Sequence, residues 1–200
     1  MTTVKSLKLH KNDQSEVIDI LLHGSKGGMN YSLMQKIFDE CIKQGHSVAN
    51  FNFPYFERGD ESSSGDGLIE ELDTLKFVLN KCNANDYKHI RLIGKSLGGI
   101  VASYYLKSLT INEQSKYSVV VFGYIKGYTN LKFFKGDIYI IQGEKDNYGN
   151  IEVVKNDLKD AISKNINYFE IEGADHSYKN ELKEPIFEDE AMEVFKKLEV

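Results

Sequence analysis

The chain has 200 residues, of which 41% are hydrophobic and 28% charged, a composition typical of soluble globular proteins and a length typical of one domain. The net charge of −5 leaves no basic face for a phosphate backbone, so no nucleic-acid partner is expected. No apolar run approaches the roughly 20 residues of a membrane span, and residues 1–13 lack the apolar core of a secretory signal. We therefore expect a cytoplasmic protein with a single domain over residues 1–200, whose oligomeric state stays open.

Short apolar runs alternate with longer stretches of helical period along the chain. The strand-like runs occupy residues 16–24, 47–53, 89–94, 118–125, 137–143 and 166–173, with 4–11 as a candidate edge strand. Helical period covers residues 31–45, 66–82, 97–108, 150–163 and 187–199, and Asp66 is expected to cap the second of these helices. The alternation predicts an α/β fold with a doubly wound, mostly parallel sheet and helices on both faces. The glycines, serines and charges of residues 57–67 predict a mobile surface loop.

The two cysteines, Cys41 and Cys82, both fall in predicted helices. Neither has the spacing of a metal site, and a disulfide is not expected in a cytoplasmic protein.

One serine is surrounded by glycines where a predicted strand turns into a predicted helix. Residues 94–98, GKSLG, match the G-x-S-x-G pattern of a nucleophile elbow. Such a turn is so sharp that side chains at the glycine positions would collide with neighbouring elements, and it projects the serine oxygen above the sheet. A plain glycine turn that caps a helix is the alternative. The strand before and the helix after favour Ser96 as a nucleophile.

A serine nucleophile needs a base, and the base needs an orienting carboxylate. Of the five histidines, His176 follows the last predicted strand, and therefore lies at the carboxyl edge of the sheet where open α/β sheets bind ligands. The acids Glu144, Asp146 and Asp175 compete for the third place. Asp175 adjoins the histidine and is expected to point elsewhere, whereas Asp146 lies deep enough in its loop to curl back. We therefore predict Ser96, Asp146 and His176 as nucleophile, acid and base.

Acyl transfer also needs hydrogen-bond donors for the developing oxyanion. The backbone amide of Leu97 is one candidate, and the glycine-rich loop of residues 23–30, HGSKGGMN, is the expected source of a second. Glycine-rich turns between strand and helix are common, and a phosphate-binding loop looks similar. The loop is not a nucleotide fingerprint, because it matches neither G-x-G-x-x-G nor the P-loop ending.

The motifs HGSKGG, GKSLGG, GEKD and GADHS, in that order, make the chain resemble a small α/β-hydrolase. The HGSKGGMN loop and the segment FNFPYFERG are similar to serine hydrolases that resemble dienelactone hydrolase. The resemblance implies the triad and oxyanion donors, with support from the start of the glycine-rich loop: Ser96, Asp146, His176, Leu97, Ser25, His23 and Gly24. Dienelactone hydrolase has a cysteine in place of the serine, so its lactone substrate does not carry over. The extra residue in Ser25-Lys26 leaves the Lys26 amide as an alternative donor.

Many members of that family insert a helical lid, for which this chain has no room between residues 125 and 137. The site is therefore expected to be open, bounded by loops that carry Tyr55, Tyr124, Tyr148 and Tyr178. An open site favours small or soluble acyl esters or thioesters, cleaved through an acyl-enzyme without metal or cofactor. The alternatives are a serine peptidase, an acyltransferase, or a non-catalytic α/β-hydrolase-fold interaction module.

Overall fold

The computed structural model describes residues 4–198, and their strands form one seven-stranded sheet. The strands are β1 Leu7–His10, β2 Val17–Leu22, β3 Ser47–Phe51, β4 His89–Lys95, β5 Tyr117–Phe122, β6 Asp137–Gly143 and β7 Ile166–Ile171. Their order across the sheet is β1-β3-β2-β4-β5-β6-β7. All neighbours are parallel except β1, which pairs antiparallel with β3 and is the edge strand that residues 4–11 predict.

Within the described residues, six α-helices lie between the strands along the chain and a seventh follows β7: α1 Ser32–Lys43, α2 Pro54–Arg58, α3 Ile69–Lys81, α4 Leu97–Ser108, α5 Ile111–Gln114, α6 Ile151–Asp157 and α7 Glu188–Phe195. Two separate apolar clusters cover the two faces of the sheet. Leu33 of α1 and Phe195 of α7 belong to one cluster, and Leu75 of α3 and Val101 of α4 belong to the other. The predicted doubly wound sheet with helices on both faces is confirmed.

Local sequence explains where the helices depart from the predicted boundaries. The cap of α3 is Leu68 in a left-handed conformation (φ 50°), not Asp66, so that expectation was wrong. The predicted helix over residues 150–163 is shorter, because α6 ends at Asp157 and turns follow. The unpredicted α2 begins at Pro54 and stops at Gly59, whose φ of 77° ends a helix readily. The last helix ends at Phe195, and residue 199 of its predicted range lies outside the described residues.

The loop of residues 57–67, which the sequence predicts to be mobile, is anchored to α3 by hydrogen bonds from Ser64. Glu71 of α3 is buried, and its carboxylate accepts hydrogen bonds from both the backbone amide (3.0 Å) and the hydroxyl of Ser64. This contact fixes the middle of the loop beside the carboxyl edge of the sheet.

The strand register brings the loops that follow β2, β4, β6 and β7 to one edge. Leu22 pairs with Gly94 and Gly143 pairs with Ile171, so neighbouring strands finish level. Residues 123–136, between β5 and β6, contain no helix, so no helical lid is inserted between these strands. Within residues 4–198 no helix has both the length and the apolarity to cross a membrane.

A buried ion pair lies inside the sheet, towards the opposite edge. Arg91 of β4 donates to Asp19 of β2 through Nε (2.7 Å) and Nη2 (2.9 Å), and His46 contacts the same carboxylate (2.9 Å). Burial alone would raise the pKa of Asp19, but the Arg91 charge and the hydrogen bonds from His46 and Arg91 outweigh burial and lower this pKa to about 2.

Candidate active site

Ser96 occupies a strained turn between β4 and α4, with φ 51° and ψ −113°. A side chain on Gly94 would collide with the backbone of Gly98 and Gly99, and one on Gly98 would collide with the carbonyl of Leu22. Both glycines of the pattern are therefore required by close backbone packing. The Ser96 side chain makes no capping hydrogen bond to α4, in contrast with the plain helix-cap alternative. The turn instead presents the hydroxyl to the carboxyl edge of the sheet.

Three side chains from separate loops form a chain of hydrogen bonds at this edge. The Oγ atom of Ser96 lies 2.9 Å from Nε2 of His176, and Nδ1 of His176 lies 2.7 Å from Oδ2 of Asp146. The ionised carboxylate accepts only, so Nδ1 carries the proton, Nε2 accepts, and the serine hydroxyl donates. The Asp146 side chain has no exposed surface, and that of His176 is 15% exposed.

The orientation of Asp146 is fixed by two further donors. The backbone amide of Tyr148 donates to Oδ1 (2.8 Å), and the side-chain amide of Gln142 donates to Oδ2 (2.9 Å). The competing acids point elsewhere. Glu144 accepts from the Gly173 amide (2.8 Å), and Asp175 accepts from two backbone amides of its own loop and from a lysine.

A buried lysine, Lys95, contacts the backbone of His176 and affects the pKa of its ring. Lys95, which is 6% exposed, donates from Nζ to the carbonyl oxygen of His176 at 2.6 Å. Burial lowers the pKa of Lys95 to about 8, against the opposing pull of Asp146 and Asp175. Burial also lowers the pKa of His176; the hydrogen bond to Asp146 opposes this change and the Lys95 charge reinforces it. The imidazole is therefore neutral, and able to accept a proton, near pH 7.

The glycine-rich loop begins at a histidine that the surrounding backbone holds in one tautomer. The Phe53 amide donates to Nε2 of His23 (2.9 Å), so Nδ1 carries the proton and donates to the Gly24 carbonyl (2.6 Å). Burial lowers the pKa of His23 to about 4, which keeps the ring neutral. These hydrogen bonds of His23 hold the start of the glycine-rich loop and do not involve Ser96.

A tyrosine hydroxyl orients the next two peptide groups of that loop. The Oη atom of Tyr55, a buried residue, lies 3.2 Å from the carbonyl oxygens of both Gly24 and Ser25. In a trans peptide the carbonyl and the following amide point in opposite directions, and none of the described residues has a cis bond. The amides of Ser25 and Lys26 therefore point away from Tyr55.

These two amides belong to residues that line a cavity together with Ser96. Leu97 begins α4, so its amide has no intrahelical acceptor. The amide of Leu97 and the amide of either Ser25 or Lys26 are therefore the candidate hydrogen-bond donors to an oxyanion at Ser96. The geometry is compatible with both alternatives for the second donor.

The cavity around Ser96 measures about 410 Å³ and is lined by loops from four strand ends: Gly24, Ser25, Lys26, Gly27, Tyr31, Lys95, Ser96, Tyr148, His176, Ser177 and Lys179. Of the four tyrosines expected around the site, only Tyr148 is exposed (47%), and its ring meets the His176 ring edge-on at 4.6 Å between centroids. Tyr55, Tyr124 and Tyr178 are fully buried and pack at the sheet ends. Across residues 4–198, no three His, Cys, Asp or Glu side chains are grouped in a way that could hold a metal ion.

Sequence reasoning missed the residues that position Ser96, His176 and Asp146. Gln142 and Lys95 carry no motif signal for these roles, since each acts through a contact made only in the folded chain. The Tyr55 hydroxyl was likewise recognised only as part of a loop near the site. The sequence shows only that a charged residue, Lys95, stands between the apolar run LIG and Ser96, which does not indicate its role.

The chain matches the sequence model of the alpha/beta hydrolase domain over residues 15–198. Similar solved structures include an alpha-beta serine hydrolase homologue from Coxiella burnetii, with a TM-score of 0.70 and 18% identity over 96% of this chain and 88% of that one. A putative alpha/beta hydrolase from Agrobacterium tumefaciens has a TM-score of 0.69 and 20% identity over 95% and 87% of the two chains. An esterase from Pyrococcus furiosus has a TM-score of 0.66 and 18% identity over 93% and 82%.

No curated protein matches the chain. At such low identities the solved structures support the fold alone. The sequence match, by contrast, spans nearly the whole chain and confirms the resemblance that the motifs indicate. The protein is therefore a member of the α/β hydrolase family.

Proposed function

We propose that this protein is a serine hydrolase that cleaves small or soluble acyl esters or thioesters through an acyl-enzyme intermediate. The observation that carries the proposal is the chain of hydrogen bonds from Ser96 Oγ through His176 to Asp146, with links of 2.9 and 2.7 Å. Both distances lie within the range at which a base accepts a proton from a nucleophile. The positive φ of Ser96 holds the hydroxyl in the open, where a carbonyl carbon can approach.

The proposed reaction has two halves. Ser96 Oγ attacks the acyl carbon while its proton passes to Nε2 of His176, and Asp146 stabilises the imidazolium that forms. The tetrahedral oxyanion accepts hydrogen bonds from the Leu97 amide and from the amide of Ser25 or Lys26. Collapse breaks the bond to the leaving oxygen or sulfur, which takes the proton from Nε2. Water then repeats the sequence on the acyl-enzyme and releases the acid.

The neutral tautomer of His176 is essential to this scheme, because an imidazolium cannot accept the serine proton. Burial and the nearby Lys95 charge lower the pKa of His176 and so favour the neutral form. The scheme uses only side chains and backbone amides of this chain, and we propose no metal or organic cofactor.

A fluorophosphonate probe tests the proposal directly. Native protein should be labelled at Ser96, and Ser96→Ala should abolish labelling and lower the turnover of p-nitrophenyl acetate by roughly 10⁴–10⁶-fold. Ser108→Ala is a matched control, because Ser108 lies exposed at the far end of the same helix. Folded protein that resists the probe would instead favour a non-catalytic interaction module.

Matched substrates separate the remaining reaction classes. An ester, a thioester and an anilide of the same acyl group differ only in the leaving atom, so their kcat/KM values rank ester or thioester hydrolysis against peptidase action. We expect the anilide to be the poorest substrate. Transfer of the acyl group to added alcohol in preference to water would indicate an acyltransferase.

A further inference from the structure

Two cavities of different chemistry lie on either side of Tyr148, which lines both. The cavity that contains Ser96, here called the polar cavity, has a volume of about 410 Å³. Its neighbour, here called the apolar cavity, has a volume of about 440 Å³. A substrate bound at Ser96 therefore meets two distinct environments.

The charge in the polar cavity has one sign. Lys26, Lys95 and Lys179 line it, and no aspartate or glutamate does. This is unusual in a chain whose net charge is −5. Lys95 is buried, with its ammonium committed to the His176 carbonyl, and adds positive potential from below. The cavity therefore favours a negatively charged group.

The ammonium groups of Lys26 and Lys179 are available to such a group. Over residues 4–198 neither takes part in a side-chain hydrogen bond or ion pair with the protein. Nearby acids are already engaged: Asp175 pairs with Lys183 (3.0 Å) and Glu181 pairs with Lys145 (3.1 Å). Both lysines line the polar cavity, and no carboxylate among its lining residues neutralises them.

The apolar cavity is lined largely by aliphatic and aromatic side chains from α4 and from the loops after β3, β5 and β6: Ser62, Ser63, Gly65, Asp66, Leu68, Leu97, Ile100, Tyr104, Ile125, Tyr128 and Tyr148. Its one charged residue is Asp66, which would repel an anion. Leu97 directly follows the nucleophile, so the cavity begins beside the acyl carbon. A neutral, apolar group suits it.

The position of His176 indicates which cavity receives the leaving group and which receives the acyl group. Its Nε2 must protonate the leaving oxygen or sulfur, so the leaving group has to lie on the histidine side. His176, Ser177 and Lys179 line the polar cavity and none of them lines the apolar one. The leaving group therefore occupies the polar cavity, and the acyl group extends past Leu97 into the apolar one.

We propose that the substrate joins a neutral, apolar acyl group to an alcohol or thiol that carries a negative charge, a carboxylate or a phosphate, bound by Lys26 and Lys179. This inference rests on the proposed esterase or thioesterase activity and narrows it to one substrate class. It requires a negative charge on the leaving group and no charge on the acyl group.

The test compares esters that differ only in charge. The anionic probe is 4-(butanoyloxy)benzoate and its neutral match is 4-(butanoyloxy)benzamide, which have similar leaving groups. We expect kcat/KM to be about tenfold or more higher for the anionic ester at low ionic strength, and the ratio to shrink as salt is added. Replacing butanoyl by acetyl should lower kcat/KM roughly tenfold, because two methylenes leave the apolar cavity.

The lysine variants locate the effect. Lys26→Met with Lys179→Met should reduce the ratio between the anionic and neutral esters to about one. Lys164→Met is the matched control, since Lys164 is exposed before β7 at the opposite edge of the sheet, and its ratio should not change. The hemisuccinate ester of 4-hydroxybenzamide places the charge on the acyl side, and should be a poorer substrate than the butanoyl ester.

Failure of this inference is distinguishable from failure of the proposed function. Ser96-dependent hydrolysis with an anionic-to-neutral ratio near one, or with a preference for the hemisuccinate, would overturn the substrate class and leave the esterase proposal standing. If no ester were cleaved, the esterase proposal would fail. In that case, binding of 4-hydroxybenzoate and 4-hydroxybenzamide to the Ser96→Ala protein, followed by NMR, would still test the anion site. Equal binding would overturn it.

Discussion

The Nζ atom of Lys95 lies 2.6 Å from the main-chain oxygen of His176, so the residue before the proposed nucleophile holds the loop of the proposed base. Lys95 and Ser96 are adjacent, and their side chains reach the same histidine by different routes: one through its backbone and one through its ring. Gly123 leaves the space for this contact, because a side chain there would lie 2.7 Å from Nζ and 2.9 Å from the His176 ring.

Removing the lysine charge should change the pH dependence of the reaction. The Lys95 ammonium disfavours the imidazolium of His176, so Lys95→Met should raise the pKa of His176. The acid limb of kcat/KM, which follows this pKa, should then move to higher pH, and kcat should fall by about tenfold as the loop loosens. Lys164→Met serves as the control. A lower kcat with an unmoved acid limb would assign Lys95 a purely structural role.

The choice of Asp146 over Glu144 predicts unequal effects of two conservative substitutions. Asp146→Asn keeps the shape of the side chain but loses the charge that fixes the His176 tautomer, so kcat should fall by about 10⁴-fold. Glu144→Gln should have little effect, because the hydrogen bond that its side chain makes within residues 4–198 is to the Gly173 amide and not to His176. Steady-state kinetics on p-nitrophenyl acetate measure both. Comparable losses from the two variants would refute the assignment.

The Tyr55 hydroxyl should matter for the rate more than for binding. Tyr55→Phe removes the hydroxyl that contacts both the Gly24 and the Ser25 carbonyls. The bond from His23 still holds the Gly24 carbonyl, so the peptide between Ser25 and Lys26 should loosen most. We expect kcat to drop about tenfold with KM nearly unchanged, since the oxyanion exists only in the transition state. Tyr105→Phe, which removes a hydroxyl paired with Tyr117 far from the site, is the control. A changed KM with normal kcat would contradict this role.

The buried Arg91–Asp19 pair predicts a loss of stability in acid. The folded-state pKa of Asp19 is lowered to about 2, below the unfolded value near 4, so the unfolded chain binds the extra proton first. The stabilisation is complete above about pH 4 and should disappear as the pH falls towards 2. Asp19→Asn leaves Arg91 without its counter-ion, and should cost about 3–5 kcal/mol at pH 7.

Urea unfolding between pH 2 and 7 measures this effect. The free energy of unfolding of native protein should decline more steeply below pH 4 than that of Asp19→Asn. Asp39→Asn, at an exposed position of α1, is the control and should follow the native curve. Parallel curves for native protein and Asp19→Asn would show that the pair does not drive acid unfolding.

Much of the fold could be predicted because the central strands are buried on both faces. Buried strand segments such as VVVF and ILL appear as apolar runs, and amphipathic helices such as α1 appear as periodic stretches. The exceptions have local causes. Leu68 caps α3 in a left-handed conformation, which usually favours glycine. Nothing in the sequence around this leucine indicates that conformation.

The order of the motifs and their positions in loops after strands predicted Ser96, Asp146 and His176, which the structure brings into hydrogen-bonding contact. Asp146 could be preferred over Glu144 only from its depth in the loop. The residues that hold these three in place were out of reach, because Gln142 contacts Asp146 across a turn and Lys95 reaches a loop far along the chain. Such contacts depend on tertiary packing and leave no periodic signal.

Trapping the acyl-enzyme tests the central claim most directly. Native protein mixed briefly with p-nitrophenyl acetate and quenched in acid should carry one acetyl group, and peptide mass spectrometry should place it on Ser96. The same experiment on Ser96→Ala should give no acetylated peptide. Steady turnover without any acetylated serine, or acetylation at a different residue of the native protein, would contradict the account.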